Sequence, residues 1–374
     1  MLYQTHVQVH LDNIRFNLEG IRSAVGDQRK ILVAVKANAY GHGAVQVARL
    51  AENAGMDWLG VATVPEGIEL RDAGINLPIL KFSQAFPEEM HAAVENDLTL
   101  TVYDQENITA LQMVCKEMDQ IANVHLKVDT GMGRIGAIPG NAVEIATLIE
   151  RDCPNLRLQG VFTHFPVSDI PGDSFNDNQI ELFRSVVSDI SEKLGRKVEI
   201  VHAANSGAIL DYPDAWFDMV RPGVMVYGYY PDKATLHTIP LKPGLSFLTR
   251  VSSVKHVQAG TSISYGRTWI APVDTCIATI PVGYADGFNR LFSNTGRLLI
   301  NGKSYPVAGR VCMDQTMVDL GREADVRVGD EVVLIGRCGD VEISCDEWAE
   351  KLSTITYEVT CQINARVKRY YLGE

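Results

Sequence analysis

The sequence predicts an α/β fold: an N-terminal (β/α)8 TIM-like barrel followed by a C-terminal, mostly β domain. Three observations predict it. Short apolar runs alternate with helical stripes through the first two thirds of the chain, and that alternation stops near residue 240. Residues able to do chemistry gather at the carboxyl ends of the apolar runs, where barrel active sites lie.

Candidate strands cover residues 31–36, 58–62, 78–82, 98–102, 124–129, 158–164, 198–203 and 217–221. Between them Ala44, Val47, Ala48 and Ala51 form one helical stripe, and Ile108, Leu111, Cys115 and Met118 another. Ile180, Phe183, Val187, Ile190 and Leu194 form the clearest. Parallel strands need crossover helices, and eight such units in roughly 200–240 residues fit a closed barrel. Pattern alone leaves an open doubly wound sheet as the alternative.

Beyond residue 240, segments 248–257, 276–282, 297–300, 305–308 and 331–335 have no helix-length partners. Asn301-Gly302 between RLLI and KSYPV is a two-residue hairpin signal. PLKPGLSF, with two prolines and a glycine, reads as a linker. The expected domains are therefore 1–240 and 241–374, with one helix at about 346–352 inside the second.

Composition narrows the function classes. A net charge of −12 argues against nucleic acid or an anionic membrane as the main partner, since both need clustered cations. Seven cysteines, an odd number without a C-x-x-C pair, argue against disulfides and a zinc ribbon. The opening MLYQTHVQVHLDNIRFN lacks a basic-then-apolar run, and no apolar stretch reaches the ~20 residues of a membrane span. A cytoplasmic protein with a small-molecule partner is the expectation.

The chemistry follows the strands in order. Lys36 ends the first (ILVAVKANAYGHG) and Arg134 follows the fifth (VHLKVDTGMGR). His164 ends the sixth; His202, Asn205 and Ser206 follow the seventh; Arg221, Gly223 and Val224 follow the eighth. A lysine at the end of a buried strand is expensive to keep charged, and a desolvated amine becomes a nucleophile and base. Position alone equally allows a lysine that snorkels to the rim; the small, turn-forming NAYGHG that follows leaves space above the amine. Loops after strands seven and eight often hold a phosphate in barrels. Here they carry Ser206 and the Gly223-Val224 amides; Ser206 taken alone is more often a helix cap, and the pairing of both loops is what favours the functional reading. GMGRIG at 131–136 matches G-x-G-x-x-G, but it follows the fifth strand and four residues separate it from the next helical pattern. It is not read as a dinucleotide site.

Taken together, AVKANAYGHG, KVDTGMGRIG, THF, HAANSGA, VRPGVMVYG, SYGRTW, VGYADGF, RVCMDQ and TYEV, in order from about residue 5 to 370, resemble the bacterial alanine racemases. The resemblance implies pyridoxal 5'-phosphate as cofactor and a small amino acid as substrate. It implies a homodimer in which each C-terminal domain contributes to the partner's site, and a supply of D-alanine for peptidoglycan. By resemblance Lys36 is the lysine that carries the cofactor and one catalytic base. Tyr265 is the opposing base, donated by the second chain. Tyr40, Ser206, Gly223, Val224 and Tyr357 match phosphate-binding positions, and Arg221 matches the partner of the pyridine nitrogen. Arg134 and the backbone of Met313 match substrate-carboxylate contacts. His164 and His202 match a hydrogen-bond network around Arg221, Lys127 a lysine carbamylated in many members, and Tyr284 a residue of the narrow access path.

Two other chemistries share parts of this pattern. Decarboxylases of basic amino acids pair a similar barrel with a β domain but carry an acidic residue at the position of Arg221. Pyridoxal-phosphate carrier proteins resemble the barrel alone and lack the domain bearing Tyr265 and Met313. A racemase of serine or another small amino acid stays open.

Overall fold

The computed structural model describes residues 4–373. Its contacts divide the chain into two compact units, Asn13–Lys242 and a second unit built from residues up to Asp12 and from Pro243 onward. The first strand, β1 (His6–His10), belongs to the second unit. It pairs antiparallel with β10 (Leu245–Arg250) and parallel with the strand Lys368–Leu372. Its partners lie far along the chain, so no local pattern could have placed it there.

The first unit is a closed barrel of parallel strands. They are β2 (Lys30–Ala34), β3 (Trp58–Val61), β4 (Ile79–Lys81), β5 (Leu98–Val102), β6 (Ala122–Lys127), β7 (Leu156–Phe162), β8 (Ile200–His202) and β9 (Met219–Val220). Closure comes from β2 pairing with β9 at Lys30↔Met219 and Ile31↔Val220. A barrel interior has no room for water, so Leu32, Trp58, Leu80, Ile200 and Met219 fill it, with Phe82 against them. The crossover helices bury the expected stripes in part: Met118, Val187 and Leu194 stay half-buried, and Val186 is buried in place of the expected Val187. Gln105–Glu117 buries Ile108, Leu111 and Cys115, and Ser174–Leu194 buries Ile180, Phe183, Val186 and Ile190. Each such side chain contributes ~1.5–3 kcal/mol of burial.

Several strands stop earlier than the apolar runs suggest. The run at 31–36 ends as a strand at Ala34, and Lys36 is not its last residue. Lys36 instead opens a short turn, Lys36–Tyr40, in which Ala37, Asn38, Ala39 and Tyr40 all have positive φ, from 51° to 53°. Four consecutive L-residues of left-handed twist cost about 1–2 kcal/mol each. Local hydrogen bonds hold them. Glu66 Oε1 accepts from Ala37 N (2.7 Å), Asn38 Oδ1 accepts from Ala44 N (2.8 Å), and His42 Nδ1–H donates to the Tyr40 carbonyl (3.0 Å). The polar segment 166–178 is a loop only to Asp173, whose side chain caps the helix Ser174–Leu194.

The second unit is β-rich. One sheet runs, in order, Lys303–Pro306, Arg297–Ile300, Glu331–Cys338, β10, β1 and Lys368–Leu372; a three-stranded sheet orders Ser253–Val257, Thr275–Ile280 and Thr316–Gly321. The Asn301-Gly302 hairpin is present, with Ile300 paired to Lys303 and positive φ at both turn residues. The expected helix is Cys345–Leu352. A second, Thr356–Cys361, is too short to show a periodic stripe. Among the described residues no helix is long and apolar enough to cross a membrane.

Candidate active site

At the carboxyl end of the barrel the cations converge. Arg221 is buried immediately after β9, and its guanidinium gives every bond to a neutral acceptor. Nη1 donates to His202 Nδ1 (3.0 Å), while Nη2 donates to the carbonyls of Thr163 (2.8 Å) and Ala203 (2.7 Å) and to His164 Nδ1 (3.3 Å). Burial pushes Arg221 down to about 9, which leaves it charged at neutral pH. Phe162 supports the same cluster. Its ring lies 5.5 Å from the Arg221 guanidinium carbon and 4.9 Å from Lys127 Nζ, and it stacks on His202 at 4.7 Å.

Lys127, the last residue of β6, is buried. Desolvation first, then the charges of Arg221, Arg134 and Lys36, push it down to about 7 despite the opposing charge of Asp129. Its amine is therefore partly unprotonated at neutral pH. His164 is driven well below the imidazole range by burial and then by Arg221, Lys127, Arg134 and Lys36. One histidine thus senses four cations, which places Lys36, Lys127, Arg134 and Arg221 around a single mouth. Arg134 itself is exposed, on a loop that wraps the Asp129 carboxylate. Asp129 Oδ1 accepts from Gly131 N and Gly133 N, both at 3.0 Å. The glycines of GMGRIG serve this turn, and the following helix begins only at Pro139.

A second feature of the mouth is a small polar cradle. Ser206 is buried, and its hydroxyl accepts from Gly223 N at 2.9 Å. A Cβ on Gly223 would lie 2.8 Å from the Tyr40 hydroxyl and 3.7 Å from Ser206 Oγ. Two hydroxyls therefore face a volume that only glycine leaves open, while the Gly223 amide is engaged by Ser206 Oγ. Val224 opens the short 3-10 helix Val224–Tyr227 directly after it.

The remaining sequence-predicted residues lie in the second unit. Tyr265 is 72% exposed, Met313 53% and Tyr284 44%. Tyr265 sits on a strained turn between the strands Ser262–Ile263 and Trp269–Ile270, with Ser264 at φ 66° and Ser264 Oγ donating to the Arg310 carbonyl. Tyr284 N donates to Cys312 O (3.1 Å) and Ala285 N to Met313 O (3.0 Å). A Cβ on Gly283 would come within 2.3 Å of Met313 O, so glycine alone allows these two loops to zip together. Tyr357 lies on the helix Thr356–Cys361. Sequence reading missed His125, which bonds His202, and Glu66, which anchors the turn after Lys36.

The described residues include no group of three or more His, Cys, Asp or Glu arranged to hold a metal ion. Two family descriptions match this chain: alanine racemase, N-terminal domain, over residues 9–231, and alanine racemase, C-terminal domain, over residues 245–371. The chain belongs to the alanine racemase family. The alanine racemase of Cutibacterium acnes is 47% identical, covering 99% of this chain and 98% of that protein. Alanine racemase 2 of Caldanaerobacter subterraneus subsp. tengcongensis is 43% identical over 98% of this chain and 95% of its own length. A solved alanine racemase from Clostridium difficile 630 superposes with a TM-score of 0.95 at 39% identity, covering 100% of this chain and 96% of the other. The chemistry is that of an amino-acid racemase, an isomerase.

The buried imidazoles give the fold an acid limit. His125 is held down to about 3, and His164 and His202 well below ~6.5, by burial before any other cause. Below pH ~6.5 the unfolded chain takes up protons that the folded chain refuses, so stability falls as pH falls. Each imidazole contributes at most ~1.4 kcal/mol per pH unit. The melting midpoint is expected to drop between pH 7 and pH 5; a level or rising midpoint contradicts the neutral state of these rings.

Proposed function

We propose that the chain interconverts L-alanine and D-alanine with pyridoxal 5'-phosphate as cofactor, working as a homodimer with shared sites and supplying D-alanine for peptidoglycan. The observation that carries this reading is the barrel mouth, where three other cations and a polar cradle gather around Lys36, and none of the hydrogen-bond acceptors of Arg221 is acidic. The cradle fits a phosphate: Tyr40, Ser206, Gly223 and Val224 would hold it, with Tyr357. Arg221 would face the pyridine nitrogen and Lys36 would carry the cofactor.

When bound, the cofactor accepts the electron pair left as the α-proton departs. Inversion needs a base and an acid on opposite faces of the α-carbon. Lys36 Nζ takes or returns the proton on one face, and the Tyr265 phenol of the second chain does so on the other. The exposure of Tyr265, Tyr284 and Met313 in one chain suits groups that a second copy covers. Arg134 and the Met313 backbone orient the substrate carboxylate, while His164 and His202 hold Arg221 in place.

Lys127 has a further task. Its amine adds to carbon dioxide, forming a carbamate and releasing a proton, and the resulting anion then sits among Arg221, Arg134 and Lys36. Mass spectrometry of the native chain is expected to show one carbon dioxide added, lost on acid treatment and absent from Lys127→Met.

A chiral assay on L-alanine with the cofactor-loaded protein tests the main reading. D-alanine should rise until the two enantiomers are equal. Release of carbon dioxide without D-alanine would identify a decarboxylase instead.

A further inference from the structure

Arg221 anchors a hydrogen-bond chain that runs back into the barrel core. A guanidinium only donates, so His202 Nδ1, 3.0 Å from Nη1, must be an acceptor. A neutral His202 then carries its proton on Nε2, which lies 2.9 Å from His125 Nδ1. His125 Nδ1 must in turn accept, and a neutral His125 presents Nε2–H to the core. His125 Nε2 and Gln159 Oε1 are both buried and neither has a hydrogen-bond partner at full bonding geometry, although the Gln159 side chain reaches close enough to act on His125. One needs an acceptor and the other needs a donor.

The backbone is shaped for this pair. The β6–β7 register passes from Val124↔Leu158 to His125↔Gly160, leaving Gln159 as an extra residue on β7. Such a bulge re-aims a side chain. At Gly160 a Cβ would lie 2.7 Å from the His125 ring, so the glycine makes room for the imidazole. Trp58 flanks it on another side, with ring centroids 5.4 Å apart.

We propose that His125 and Gln159 are positioning residues for racemisation: they fix the His202 tautomer, which aims a lone pair at Arg221 and keeps that cation oriented without a carboxylate. The Arg221–His202 and His202–His125 bonds then run in directions set by Arg221 at one end, and a small turn of the Gln159 amide would supply the acceptor that closes the chain at the other. The catalytic consequence rests on the reading of Arg221 as the ring-nitrogen partner; the tautomers do not.

Nitrogen-15 spectra of histidine-labelled protein, cofactor-free and loaded, read the tautomers directly. His125 and His202 should both appear as neutral rings protonated on Nε2. Gln159→Glu preserves size but sets a carboxylate against His125 and favours its imidazolium. An imidazolium has no lone pair for His202, so His202 should change tautomer. Its kcat is expected to fall about tenfold or more, with KM within about threefold, and Gln159→Met should be milder. Pure packing would leave the two variants alike. A ring protonated on Nδ1 in the native protein overturns the proposal, as does a Gln159→Glu enzyme with native kcat and native tautomers. If Gln159→Glu does not fold, the native spectrum alone decides. Absence of racemisation in the native protein would overturn the functional reading and leave the spectrum to judge this one.

Discussion

Lys36→Ala is expected to lower racemisation by at least ~10⁴-fold, because one replacement removes both the proposed proton-transfer group and the proposed anchor of the cofactor. Tyr265→Ala removes the opposite-face group. Neither variant alone should form measurable D-alanine from L-alanine. Mixed after unfolding and refolding, the two should recover activity. A hybrid dimer holds one site with native Lys36 and native Tyr265, and one site with neither. Random pairing makes half the dimers hybrid, so about a quarter of native activity should return. Mixed dimers that stay inactive would sink the shared site.

Arg221→Glu should produce the second largest effect. Arg221 is buried, and its acceptors are two carbonyls and two imidazole nitrogens. A glutamate there meets carbonyls that repel it, although both histidines can reverse their tautomers to donate. The expected loss in kcat is ~10²–10³-fold, similar to removing a preorganised electrostatic contact. The product mixture should also change. Guanidinium gives the ring nitrogen no acidic proton, whereas a carboxylic acid can. A more strongly activated ring gives side transamination more time, so pyruvate should accumulate beside D-alanine. Unchanged product purity would show that Arg221 has no part in fidelity.

Much of the barrel was legible because its strands are short apolar runs separated by single helical stripes. Periodicity carries both signals locally. The mouth was legible for the same reason: polar residues that end apolar runs all point one way in a parallel barrel. What sequence hid was handedness and distance. Nothing in KANAY announces four left-handed residues: alanine disfavours that conformation, and asparagine visits it as a single residue. The turn depends on Glu66, His42 and Asn38. His125 and Gln159 are polar residues inside two otherwise apolar strands, and only the β6–β7 register brings them together. Strand β1 has a readable alternation, HVQVH, but no clue to partners at positions 245–250 and 368–372.

That last pairing orders events during synthesis. As the chain emerges from the ribosome, His6–His10 appears long before either neighbour exists. Residues 13–242 contain every barrel strand, so the barrel can close while β1 waits unpaired. A waiting edge strand invites pairing with other nascent chains. Its histidines and glutamine, alternating with only two valines, make it a poor template for such association. A segment made before both of its neighbours is thus locked only after them, when Lys368–Leu372 arrives.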